Sequence, residues 1–154
     1  MYKRIVVGTD GSAGANMAVD AAVQLARLTG ASLHIVNAHK TTSAHQFAAA
    51  PEIGLPLDAI AASNEALRSQ ALRVCDEAAE RANAAGVAAE TYCFAGDAAD
   101  ALLKIAADAD CDLVVVGNRG MSGMRRFVLG SVPNKLSHQC GTNLLIIDTS
   151  PARS

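Results

Sequence analysis

The sequence predicts an α/β fold: a three-layer sandwich with a five-stranded parallel sheet and helices on both faces. Two observations carry this. Short apolar runs such as Ile5–Val7, Leu113–Val116 and Leu144–Ile147 alternate with segments of helical spacing. Strands alternating with helices make a parallel sheet covered on both sides. Composition agrees: 51% of residues are hydrophobic, but only 3% are aromatic and there is no tryptophan. The core is therefore built from Ala, Val, Leu and Ile. The 154 residues suit one domain, 1–154, with enough chain for a real core.

The elements read in order. Arg4–Thr9 is the first strand. Ala13–Thr29 is helical, with Ala18, Ala21, Ala22, Leu25 and Leu28 expected on one face. Gly30 stands where a helix C-cap belongs. Ser32–His39 is the second strand. Lys40 to Leu57 carries Pro51, Gly54 and Pro56 and reads as a surface loop or lid. A long helix follows, from Asp58 or Ser63 to Ala85. Leu67, Ala71, Val74, Cys75, Ala78 and Ala82 form its buried stripe, and Gly86 ends it.

Val87–Phe94 is the third strand. Asp97 is the expected N-cap of the next helix, with Ala98, Ala101, Leu102 and Ile105 inward. Asp112–Val116 is the fourth strand, Ser131–Cys140 the fourth helix and Leu144–Asp148 the fifth strand. The tail Ser150–Ser154 is expected to fray.

Several classes are disfavoured. A net charge of −2 argues against a nucleic-acid protein, which would show a basic face. Cys75, Cys93, Cys111 and Cys140 are far apart in sequence, so no CxxC pair exists, and they read as small packing residues. His34, His39, His45 and His138 lack metal-ligand spacing and read as structural or surface groups. Ile5–Val7 is too short for the apolar region of a signal peptide. No stretch approaches the roughly 18 apolar residues of a membrane span. The expectation is a soluble cytoplasmic protein with no membrane partner.

The stretch Gly117–Ser131, GNRGMSGMRRFVLGS, is the most informative. Gly117 and Gly120 follow the fourth strand, and Gly130 and Ser131 open the fourth helix. Glycine at a strand end lets backbone N–H groups approach a ligand. A helix start adds unpaired N–H groups and a positive dipole end. Together they suit phosphate. Arg119, Arg125 and Arg126 add positive charge, although the two later arginines read first as solvated loop charges. Ser131 also has the chemistry of an N-cap.

The spacing Gly-x2-Gly-x9-Gly-Ser resembles the nucleotide motif of the universal stress protein family. Ile5-Val6-Val7-Gly8-Thr9-Asp10-Gly11-Ser12 resembles the family's first strand and acidic residue. The likeness runs from Tyr2 to about Thr149. It implies the strand order 3-2-1-4-5, with Asp10 and Gly117 facing each other where the order reverses. It also implies a site. Gly8, Thr9 and Asp10 come from the first strand end. Ala38, where the family usually has valine, reads the adenine edge through its backbone. Gly117, Asn118, Arg119, Gly120, Met121 and Ser122 match the first half of the phosphate loop. Gly130, Ser131 and Val132 match the second half.

Other nucleotide signatures fail: there is no G-x4-G-K-[ST] loop and no G-x-G-x-x-G fingerprint. Asp10 is the one acidic residue assigned to the site, and no general base is identifiable, which favours a nucleotide-binding regulator with at most slow ATP hydrolysis. The expected ligand is ATP, brought with Mg²⁺. Cyclic AMP is the alternative, and a nucleotide-independent interaction module is the third reading. The family likeness further implies a homodimer paired through Leu144–Asp148, which a charge at Ile146 should disrupt. Cys140 is followed by Gly141-Thr142-Asn143, where many relatives have Cys-Pro-Val, so the turn before that strand departs from the pattern.

Overall fold

A computed structural model describes residues 1–41, 57–118 and 129–150. Five strands, β1 (Arg4–Gly8), β2 (Ser32–His39), β3 (Ala89–Ala95), β4 (Leu113–Gly117) and β5 (Asn143–Ile147), form one sheet in the order β3-β2-β1-β4-β5. Every pairing is parallel. The helices are α1 (Ala13–Thr29), α2 (Leu57–Ala84), α3 (Ala98–Asp108) and α4 (Ser131–Gln139).

The period of two along each strand sorts the core into two layers. Ile5, Val7, Leu33, Ile35, Leu113 and Val115 face one side, where they pack with α1 and α2. Val6, Val36, Val114 and Val116 face the other, with Leu102 and Ile105 of α3 and Leu136 of α4. The apolar runs are continuous because both faces of the central strands are covered.

Local chemistry sets the helix ends. Ser12 Oγ accepts from the Ala15 N–H at 3.2 Å, capping α1, and Gly30 closes that helix in the left-handed region at φ 73°. Asp97 caps α3 by accepting from the Asp100 N–H at 2.9 Å. Gly86, at φ 75°, follows the end of α2.

Some expectations shift. α1 buries Ala15, Ala18, Val19, Ala22, Val23 and Ala26, whereas Leu28 is 81% exposed and Ala21 and Leu25 are half-buried. The valines, better shaped to pack on a pleated sheet, turn the buried stripe away from the leucines. In α2 the stripe Ala71, Cys75, Ala78 and Ala82 is buried, while Leu67 and Val74 are half-buried. α2 starts at Leu57, earlier than expected, and β3 starts at Ala89, after a buried Val87 that precedes the ladder. In α3, Ala99 is buried where Ala98 was expected. The N-cap of α4 is Gly130, so Ser131 is the first helical residue and not the cap. The remainder of the proposed lid, residues 42–56, and the tail residues 151–154 lie outside the described residues.

Candidate functional site

β1 feeds α1 on one face of the sheet, and β4 feeds α4 on the other. The two strands are neighbours, so their carboxyl ends diverge into a crevice. A cavity of about 490 Å³ lies there, large enough for a nucleotide-sized molecule.

The structure brings together most of the residues expected from the sequence. Gly8, Thr9 and Asp10 line the cavity from β1, Ala38 from β2, Gly117 from β4, and Gly130, Ser131 and Val132 from the start of α4. Arg119, Gly120, Met121 and Ser122 lie outside the described residues, as do Arg125 and Arg126.

The β1–α1 turn is a chain of side chain to backbone hydrogen bonds. Thr9 Oγ1 accepts from the Gly11 N–H at 3.2 Å, and Asp10 Oδ1 accepts from the Ser12 N–H at 2.9 Å. Gly11 sits at φ 78°, and a Cβ there would come within 2.8 Å of Val74 Cγ2. Glycine is thus required both for the backbone and for the close approach of α2. The Thr9 N–H donates to the Val36 carbonyl at 2.9 Å, and the Thr9 carbonyl accepts from Asn37 Nδ2 at 2.8 Å. These bonds hold the turn against β2 and the start of α1.

The start of α4 is built differently. Its N-cap is a glycine, which has no side chain to cap with. The first-turn N–H groups of any helix lack intrahelical partners. Among the described residues, no side chain caps this helix start; Ser131 and Val132 line the cavity there, with the positive end of the helix dipole behind them. Pro133, which has no N–H, is buried in the same turn at no loss of a donor. Among the described residues, the helix start without a side-chain cap is that of α4 and not that of α1.

Asn118 has a role the motif did not reveal. Its Nδ2 donates to Asp148 Oδ1 at 2.9 Å, and its Oδ1 accepts from the Thr149 N–H at 3.1 Å and from the Thr149 hydroxyl. Its backbone N–H donates to the Ile147 carbonyl at 2.8 Å, and its carbonyl accepts from the Gly130 N–H at 3.0 Å. The side chain is spent on holding β4 and the segment after β5 together, while the backbone carbonyl holds the α4 entrance.

Seven further lining residues went unassigned to the site in the sequence, and four of them matter most to its chemistry. Leu102 and Ala98 of α3 supply an apolar wall, Val116 continues it, and Lys40 adds a cation where β2 ends. Asn37 lies behind the site, as the buried amide that fixes Thr9. A polar residue inside the run Leu33–Ala38 was the available signal for Asn37; Lys40, immediately after a strand's carboxyl end, was the signal for the cation. Asp97 and Asp100 are not among the lining residues. They pair with Lys135 Nζ at 3.1 and 2.7 Å, tying α3 to α4. Of the lining residues, Asp10 alone is a carboxylate.

A 3-2-1-4-5 parallel sheet with a glycine-edged crevice at its order reversal defines an open α/β protein with helices on both faces. Comparison with known proteins narrows the class. Residues 1–148 match the model of the universal stress protein family, and the chain belongs to that family. It is 36% identical over 149 residues to universal stress protein Rv1636 of Mycobacterium tuberculosis, covering 97% of this chain and 98% of that one. It is 31% identical over 147 residues to universal stress protein YxiE of Bacillus subtilis, covering 96% and 99%. A solved universal stress protein in complex with cAMP is 35% identical, covers 97% of this chain and 99% of its own, and superposes with a TM-score of 0.70. Among the described residues no helix is long and apolar enough to cross a membrane.

Proposed function

We propose that this universal stress protein is a regulator that binds an adenine nucleotide in the crevice between β1 and β4, with ATP as the ligand. The observation that carries the reading is the pairing of an apolar cavity wall with the uncapped N–H groups of Ser131 and Val132. The apolar side, Ala38, Leu102 and Val116, suits a purine ring. Asp10 supplies the acceptor that ribose hydroxyls need. Ser131 and Lys40 supply a donor and a charge for phosphates, and Gly117 and Gly130 leave room for them at the backbone. A triphosphate would arrive with Mg²⁺. With one carboxylate lining the cavity, the arrangement supports binding and at most slow hydrolysis. The strand β5 ends the sheet, and we infer that a second copy pairs along it.

A second reading, cyclic AMP, is favoured by the 35%-identical relative solved in complex with cAMP. A thermal-shift series with ATP, ADP, cyclic AMP and GTP, with and without Mg²⁺, separates the two. Ligand at 100 times its dissociation constant adds about 2.7 kcal/mol of stability. A rise with ATP is the expected result. A rise with cyclic AMP alone would replace the ATP reading with the second-messenger one. No shift with any nucleotide would overturn both and leave a protein-interaction module.

A further inference from the structure

We propose that Cys75 and Cys93 form an oxidant-sensing dithiol pair, in which a hydroperoxide oxidises Cys93 and Cys75 closes a reversible disulfide between α2 and β3. The sequence separates these residues by 18 positions, but the fold sets their Sγ atoms 3.3 Å apart. All four cysteines are free thiols. Cys111 is placed otherwise: its sulfur meets the Ile105 carbonyl at 3.9 Å.

The two sulfurs are not equivalent, and the difference assigns the order of events. Cys75 is 1% exposed, on the buried face of α2. Burial, reinforced by the hydrogen bond with Cys93, pushes its thiol up to about 12, so it is a poor first nucleophile. Cys93 is half-buried on β3, which is an edge strand of the sheet. It is the sulfur that a small oxidant reaches first. Attack of the Cys93 thiolate on hydrogen peroxide breaks the O–O bond, giving the sulfenic acid and hydroxide, which takes up a proton to become water. Cys75 sulfur then attacks the Cys93 sulfur. The S–S bond forms, the S–O bond breaks, and the Cys75 proton leaves with the hydroxyl group as a second water. Two thiols are oxidised by two electrons and one peroxide is reduced. A thiol reductant reverses the change by exchange.

The position gives the pair a consequence. Cys93 is the ladder partner of Asn37, whose side chain holds the Thr9 carbonyl, and the next residue, Ala38, lines the ligand cavity. The disulfide would tie the outer helix to the strands that carry one wall of the crevice. None of this depends on which ligand the crevice holds.

The test treats the full chain with equimolar hydrogen peroxide, counts thiols under denaturing conditions and maps disulfide-linked peptides. The expected result is a fall from four thiols to two, one crosslink joining Cys75 to Cys93, and full recovery with dithiothreitol. Cys93→Ser should abolish the crosslink. Cys75→Ala should instead trap a sulfenic acid at Cys93, read as a dimedone adduct. A Cys111→Ala/Cys140→Ala double variant, which leaves the pair untouched, should react like the parent and serves if either single variant folds poorly. Four thiols surviving in the parent, and both remaining thiols surviving in the double variant, would overturn the proposal. So would a crosslink through Cys111 or Cys140, or Cys93 passing to sulfinic acid without a crosslink.

Discussion

The Asn118 amide nitrogen donates to the Asp148 carboxylate at 2.9 Å, joining the end of β4 to the residue just past β5. The Asn118 carbonyl oxygen meanwhile holds Thr149. Thr149 in turn lies against α1, since a Cβ on Gly14 would come within 3.1 Å of its side chain. One amide thus fastens three elements around the mouth of the crevice.

Asn118→Ala should therefore act on stability and on ligand binding together. Loss of these part-buried hydrogen bonds should cost about 1–2 kcal/mol in urea unfolding. Nucleotide affinity should fall as well, because Gly117, the chain neighbour of Asn118, lines the cavity and its strand end loses the tie to the segment after β5. A variant with parental stability and parental affinity would refute the fastening role.

Gly11 and Gly30 both adopt positive φ, but only one is crowded. Nothing lies within 4 Å of a Cβ built on Gly30, whereas at Gly11 the Val74 side chain is 2.8 Å away. Gly30→Ala should cost about 1 kcal/mol from the left-handed backbone alone. Gly11→Ala should cost about 2–3 kcal/mol, with overpacking added. A further Val74→Ala change should recover part of the Gly11→Ala loss in a double-mutant cycle. Equal losses at the two glycines would show that α2 yields freely.

The link between α3 and α4 predicts a pH dependence. The Asp100 N–H, and then the Lys135 ammonium, hold the Asp97 carboxyl below the ordinary aspartate range. A depressed folded-state value means stability that is present above the unfolded value and lost as pH falls through the folded one. Asp97→Asn keeps a competent N-cap and removes the charge. The parent should be more stable than this variant near neutrality. The gap should close as pH drops below about 4, where aspartates protonate. Unfolding curves across pH check this; a gap that persists at pH 2 would place the effect in capping geometry instead.

The homodimer reading can be tested more cleanly at Leu145 than at Ile146. Ile146 packs on the α3 and α4 layer, so a charge there would disturb the core as well as any interface. Leu145 is 37% exposed on the edge strand. Leu145→Lys should give a folded monomer with unchanged helix content in sedimentation and circular dichroism. Persistence of a dimer in that variant would exclude pairing along β5.

Much of the architecture was legible because its causes are local. Gly30 at the end of α1 and Asp97 at the start of α3 act within three or four residues, so spacing reveals them. The continuous valines of β4 announce burial on both faces. The site was legible in part. Gly8, Thr9, Asp10, Ala38, Gly117, Gly130, Ser131 and Val132 were placed through the family likeness and meet at one cavity. Asn118 lines nothing in that cavity, and Ser131 does not cap α4. A motif records which residues recur at a site without saying which atoms face inward.

The sequence by itself determined the alternation of strands and helices, the ends of most elements and the position of the glycine that opens α4. These follow from backbone chemistry acting over a few residues. The tertiary structure decided which face of α1 is buried, which α3 side chains close the crevice and how near Cys75 comes to Cys93. Those depend on how helices seat on a twisted sheet, where a small rotation about a helix axis moves a side chain from core to solvent. Contacts between distant segments are set by that packing, and no spacing along the chain encodes them directly.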